Sequence, residues 1–231
     1  MRRVGHKGAD LIAPGNTIPS FDAALAAGVD MIEFDVLPER GSGRLVLAHD
    51  YVAARRGEPP SLEEGLSHFA SEAFDGVELD VDLKLPGYEE AVVNALRRHG
   101  LAGRALVSSQ YLDSLAQVRR LEPSLRLGWS VPRARRDYTG SALTALPALG
   151  LLRAYRLMLP RLAARAIRAR RCDALMAHWR VISPRLVSAV RGAGGELFAW
   201  TVDELPRIRA LEALGVTGVI TNDPRLFAAL V

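Results

Sequence analysis

Short apolar runs ending in polar residues recur along the chain, separated by longer segments whose apolar positions repeat every three to four residues. Short runs bounded by Gly, Pro or charged clusters predict buried strands, and the longer amphipathic segments predict helices. Strands are expected at Arg2–Gly5, Met31–Leu37, Val77–Leu85, Ala105–Ser109, Leu125–Val131, Ala174–Ala177, Glu196–Val202 and Gly218–Thr221, with a short extra strand at Leu45–Ala48. Helices are expected from about Thr17 to Gly28, after the capping box Ser61-Leu-Glu-Glu64, and over Tyr88–His99 and Tyr111–Leu121. Three more follow at Pro184–Arg191, at Leu205–Leu214 and, as a last short helix, at the C-terminus. Eight strands alternating with helices predict an α/β fold with a parallel sheet, and the count favours a closed (β/α)8 TIM barrel. A chain of 231 residues suits one such domain, 1–231, with a basic helical segment at about 133–171 inside it.

Composition narrows this picture. An apolar fraction of 49% supports a large core and excludes a disordered chain. One cysteine, Cys172, excludes an internal disulfide and suits a reducing compartment. The N-terminus enters the first strand at once, leaving no room for a signal peptide, and no run reaches the length of a membrane span. The expected location is therefore cytoplasmic, with peripheral contact at the inner membrane face left open.

The net charge of +4 is unevenly spread. From Arg126 to Arg171 there are eleven arginines against one acid, Asp137, which leaves the rest of the chain acidic. Two readings of the basic segment stay open: a solvated outer helix of the barrel, or a basic amphipathic hairpin lying on anionic lipid headgroups. Nucleic acid is disfavoured because stacking aromatics are sparse there.

The polar residues of interest cluster at strand C-terminal ends, the face that carries the active site in such barrels: His6, Glu33, Asp35, Asp82, Lys84, Ser109, Trp200 and Asn222. Glu33 and Asp35 lie two apart in one strand and so share a face. Paired carboxylates fit a hard divalent cation, and the flanking His6 and His49 fit proton transfer. A metal-assisted hydrolase follows. Asp80 shares a face with Asp82 and competes with it as a third ligand. Lys84 is either a phosphate contact or an ion-pair partner of these acids. Trp200 either lines the pocket or packs the barrel mouth. Ser109, Gln110 and His178 are further pocket candidates, whereas His99 reads as a helix C-terminal cap and His68 as an exposed helical residue.

Seven blocks carry a family resemblance: Gly5-His-Lys-Gly8, Ala13-Pro-Gly-Asn-Thr17, Glu33-Phe-Asp35, His49-Asp50, Asp82-Leu-Lys84, Trp200-Thr-Val202 and Gly218-Val-Ile-Thr-Asn-Asp-Pro224. In order and spacing they resemble the glycerophosphodiester phosphodiesterases over nearly the whole chain. The resemblance implies release of an alcohol and sn-glycerol 3-phosphate from a glycerophosphodiester, with one divalent cation, Ca²⁺ or Mg²⁺, as cofactor. It implies His6 and His49 as the acid/base pair, Glu33, Asp35 and Asp82 as metal ligands, and Lys7, Lys84 and Trp200 around the substrate. Three positions depart from the family pattern: Lys7 stands for arginine, Gly15 for glutamate and Asp82 for glutamate. The lid after His49-Asp50 is also short. A phospholipase D-like action on lysophospholipids and a catalytically silent phosphate- or membrane-binding module remain the alternatives.

Overall fold

The computed structural model describes residues 1–55, 57–132 and 142–230, with the backbone alone for 142–152. Eight parallel strands close into a barrel: β1 (Arg2–Gly5), β2 (Met31–Pro38), β4 (Glu78–Leu83), β5 (Ala105–Ser109), β6 (Arg126–Val131), β7 (Ala174–His178), β8 (Glu196–Trp200) and β9 (Gly218–Thr221). Pairing of β1 with both β2 and β9 completes the ring. The extra strand, β3 (Leu45–Leu47), lies antiparallel on the upper end of β2. The expected (β/α)8 barrel is what the chain forms.

The helices begin where the sequence signals placed them. Thr17 caps α1 (Ile18–Ala26) by accepting from Ser20 N, and Gly28 follows the helix at φ +71°. Ser61 and Glu64 close a reciprocal capping box on α2 (Leu62–Phe69). The outer layer continues with α3 (Glu89–Arg98), α4 (Leu112–Leu121), α5 (Ala142–Arg168), α6 (Pro184–Arg191) and α7 (Leu205–Leu214). Among the described residues the basic segment is one continuous helix from Ala142 rather than a hairpin, and its stretch from 133 to 141 lies outside the described residues. The short lid after His49-Asp50 is a 3₁₀ turn, Ala53–Arg55, entered by two backbone amides that donate to Asp50 Oδ1 at 2.8 Å.

Alternation along the strands separates two cores. Outward-facing residues pack against the helices, as where Phe34 stacks on Phe69 at 5.2 Å and Phe69 meets Phe21 at 4.6 Å. Each such fully buried ring contributes on the order of 2 kcal/mol. Inward-facing residues fill the barrel in layers. At the N-terminal end Arg2, Glu78, Arg126 and Glu196, from alternate barrel strands, form a charged ring with contacts of 2.8, 3.0, 2.6 and 3.4 Å. Above it lies an apolar plug that includes Val4, Met31, Leu106, Met176, Phe198 and Ile220. Gly128 is required in this layer, since a Cβ there would lie 2.8 Å from Leu106 and 3.0 Å from Met176. The acids and histidines occupy the C-terminal end.

Candidate active site

Because Phe34 faces the helices, its neighbours Glu33 and Asp35 must face the barrel interior. The parallel register sets Asp82 beside Asp35 and Asp80 beside Glu33. Glu33, Asp35 and Asp82 converge until one carboxylate oxygen from each lies within 4.8 Å of the others. Asp80 is one residue pair deeper, outside this trio, and of the two competitors Asp82 is the one that converges with the β2 pair.

Like charges this close, removed from water, cannot all ionise at ordinary pKa values. Burial and then the charge of Asp35 push Glu33 well above its usual range. Burial also works to raise Asp35, but the Lys84 ammonium and then His49 outweigh it and hold Asp35 well below. Asp82 is raised, chiefly by burial. Asp80 is raised to about 7 by burial, with Ser108 opposing and Asp82 adding to the shift. Lys84 contacts Asp35 Oδ1 and sits 2.5 Å from Asp82 Oδ2. Burial disfavours its charge, yet the surrounding carboxylates prevail and its pKa is raised well above normal.

The donor set fits a divalent cation. Asp82 Oδ1 is buried without a hydrogen-bond partner, and one ammonium cannot neutralise three converging carboxylates. Oxygen-only ligands of this kind suit hard cations.

The two histidines flank the trio. His6 follows β1, with Nε2 3.8 Å from Glu33 Oε2. Burial, then the charge of Lys7, lower its pKa to about 4, so it is neutral at pH 7. Its tautomer is fixed from outside the site. Asp203 accepts from Asn222 N at 2.8 Å and from Nδ2 at 2.7 Å, which turns Asn222 Oδ1 toward His6 Nδ1 at 2.6 Å. An acceptor there requires the proton on Nδ1, so Nε2 keeps its lone pair facing the carboxylates. His49, with its side chain half exposed, places Nδ1 3.4 Å from Asp35 Oδ2 and lies at the mouth.

The loop from β1 to α1 shapes the rim. Lys7 adopts φ +50°, which lets its amide donate to Glu33 Oε2 at 2.8 Å while its carbonyl accepts from Asn16 N and Ser20 Oγ. Asn16, at φ +61°, donates to Asp35 Oδ2 at 2.8 Å and accepts from Asp35 N at 3.0 Å. The Lys7 ammonium lies 3.2 Å from Asp10 Oδ2, and Gly15 N donates to Asp10 Oδ1 at 2.8 Å. A Cβ at Gly15 would sit 2.5 Å from that oxygen, so Asp10 fills the space that a larger residue at 15 would need. A cavity of about 390 Å³ lies beside these groups, lined by Lys7, Asp10, Asn16, His49 and Pro59 among others. A larger cavity, of about 1000 Å³, has Ile18, Arg44 and His68 in its lining and none of the acid trio.

Trp200 donates its indole N–H to Met176 O at 2.8 Å and meets the His178 ring edge-on at 5.1 Å, so it offers the mouth an apolar face. Ser109 is fully buried and donates to Leu83 O, which gives it a role in joining strands. His99 caps α3, as expected, and bonds Glu63, while His68 bonds Asp22. Asp10 and Asp203 were not apparent as site residues; the nearest sequence signal for Asp203 is that it follows Trp200-Thr-Val202 directly.

The model of the glycerophosphoryl diester phosphodiesterase family matches residues 6–58 and 70–226. The chain belongs to this family. It is accordingly a phosphodiester-hydrolysing enzyme. It is 27% identical over 262 residues to a glycerophosphodiester phosphodiesterase of Caldanaerobacter subterraneus subsp. tengcongensis, covering 99% of this chain and 96% of that one. A Bacillus subtilis glycerophosphodiester phosphodiesterase is 24% identical, covering 97% of this chain and 84% of its own. In fold, the chain resembles an Oleispira antarctica phosphodiesterase solved with the product sn-glycerol-3-phosphate. That match has a TM-score of 0.71 and 22% identity, over 100% of this chain and 96% of the other.

Proposed function

We propose that the protein, as a single barrel domain, hydrolyses glycerophosphodiesters to an alcohol and sn-glycerol 3-phosphate with the help of one divalent cation, Ca²⁺ or Mg²⁺. One observation carries the reading: His6 and His49 approach the same carboxylate trio from two sides, one at Glu33 and the other at Asp35. Glu33, Asp35 and Asp82 would hold the cation. Bound there, a cation supplies positive charge to a non-bridging phosphate oxygen as negative charge builds on it.

The chain's own groups divide the remaining work. Neutral His6 takes a proton at Nε2 from the nucleophile as it bonds to phosphorus; the nucleophile is a water, or the 2-hydroxyl of the substrate glycerol, in which case a water opens the resulting cyclic phosphate in a second step. His49, at the mouth, gives a proton to the departing alcohol oxygen as its bond to phosphorus breaks. Lys84 and Lys7 supply charge for the phosphate, and the apolar face of Trp200 borders the glycerol. The single cysteine, buried and unpaired, supports a reducing cytoplasmic setting.

The test is release of glycerol 3-phosphate from glycerophosphocholine across a panel of divalent metals with a chelated control. His6→Ala and His49→Ala should each lower turnover by roughly a hundredfold or more. Near-normal turnover in either variant, or activity indifferent to chelation, would remove this assignment.

A further inference from the structure

The outward side of α5 combines exposed apolar and basic side chains. Taking 100° per residue, Leu157, Met158, Leu162, Arg161, Arg165 and Arg168 fall within one arc of about 140°. The opposite arc, with Leu159, Ala163, Ala166 and Ile167, is buried against the barrel. On the outward arc Leu157 is 65% exposed, Met158 59% and Leu162 40%, and the three arginines are exposed as well. Among the described residues none of these arginines has an ion-pair partner, and the whole of α5 contains no Asp or Glu. Isolated exposed leucines are common on protein surfaces. Three large apolar side chains interleaved with three free cations on one face need a partner that is both apolar and anionic.

We propose that this face of α5 docks on an anionic phospholipid bilayer. Leu157, Met158 and Leu162 would enter the boundary between headgroups and acyl chains, and Arg161, Arg165 and Arg168 would meet the headgroup phosphates. Charge complementarity selects this occupant. A second copy of the same stripe would set arginine against arginine with no acid to answer it. Single-stranded nucleic acid would call for stacking aromatics, and the exposed apolar residues here are Leu and Met. The position of the stripe ties docking to the catalytic end. Arg156 donates to Ile182 O at 2.7 Å, just past the C-terminal end of β7, so the stripe begins level with the barrel mouth and runs down the flank. This inference does not rest on the hydrolase reading.

Flotation of the full chain with vesicles tests it, because the readout is binding and involves no turnover. The protein should float with phosphatidylcholine vesicles containing about a third phosphatidylglycerol, and far less with pure phosphatidylcholine, with binding weakening as salt rises. Arg161→Gln with Arg165→Gln should weaken binding by tenfold or more, on the order expected for two cations at such a surface. Leu157→Ser with Met158→Ser should weaken it by about tenfold at unchanged charge. Leu214→Ser, an exposed leucine at the other end of the barrel, should leave it unchanged. Unchanged melting temperatures in all variants show that the fold is intact. The proposal is overturned by failure to float with anionic vesicles, or by indifference to both α5 pairs. It is equally overturned if a concentration-dependent dimer is lost in the Leu157/Met158 variant, or if polyglutamate is bound as tightly as vesicles regardless of the leucine change.

Discussion

The relay from Asp203 through Asn222 to His6 decides which histidine nitrogen can accept a proton. In Asp203→Asn the residue at 203 can itself donate, so nothing holds the Asn222 amide with its oxygen toward His6. The wrong His6 tautomer then becomes accessible, and kcat should fall on the order of tenfold to a hundredfold, part of what a general base contributes. KM should change little, since Asp203 lies behind the histidine. Equal losses in kcat and 1/KM with glycerophosphocholine would point instead to a damaged pocket. A second residue-scale test concerns Asp80. Its folded pKa, about 7, lies above its ordinary value of 3.8, so the native state holds a proton that the unfolded chain releases. That contribution is complete below about pH 4 and is lost as pH rises toward 7. His6, lowered to about 4, acts with the opposite sign in the same window, so the wild-type profile alone would mask the effect. Asp80→Asn cannot ionise. In chelated protein its stability relative to wild type should increase by a few kcal/mol, to order of magnitude, between pH 4 and 8. Urea midpoints that track each other across that range would refute it. Glu33 and Asp35 were legible as a pair because strand alternation is a local rule. The support from Asp203 was not, because it stands 19 residues from Asn222, and Asn222 stands 216 from His6, and only barrel closure brings them together.

At the scale of elements, strand ends and capped helix starts were readable because each depends on a few neighbouring residues. The continuity of α5 was not. Pro147, Gly150 and Pro160 lie inside its 27 residues and normally punctuate a helix, yet the helix runs on past all three, and around Pro160 the packing of Leu159, Ala163 and Ile167 on the barrel holds it. The β1–α1 loop shows the same limit. Gly15 looks like the loss of a side chain from the rim, whereas the fold gives its space to Asp10, which also holds Lys7. Gly15→Ala should therefore cost about 1–3 kcal/mol through overpacking. In an Asp10→Ala background the clash with the carboxylate is gone, and the same substitution should cost clearly less. A double-mutant cycle by urea denaturation measures this coupling, expected at about 0.5 kcal/mol or more. Additive costs would show that Gly15 is required for its backbone alone.

Across the whole molecule the barrel interior is divided along its axis. The charged ring of Arg2, Glu78, Arg126 and Glu196 closes the N-terminal end, the plug around Met176 and Phe198 fills the middle, and the acids and histidines stand at the C-terminal end. The proposed chemistry belongs to the last of these layers, in keeping with the general separation of stability and catalysis between the two ends of such barrels. Glu78 is the shared acceptor of two arginines, at 2.8 and 3.0 Å. Glu78→Gln keeps its shape and removes its charge, leaving Arg2 and Arg126 facing each other with Glu196 as the remaining acid. Because these side chains keep about a third of their exposure, solvent screens part of the loss, and the cost should be about 1–2 kcal/mol, well below that of a fully buried pair. For a chain of this length the melting temperature should fall by roughly 2–8 °C. The kcat/KM for glycerophosphocholine, per folded molecule at 25 °C, should stay within about twofold of wild type, since the apolar plug insulates the trio from a change at the floor. A drop in kcat/KM comparable to that of Asp203→Asn would mean that charge at the floor is felt through the plug, and that the two ends of the barrel are coupled.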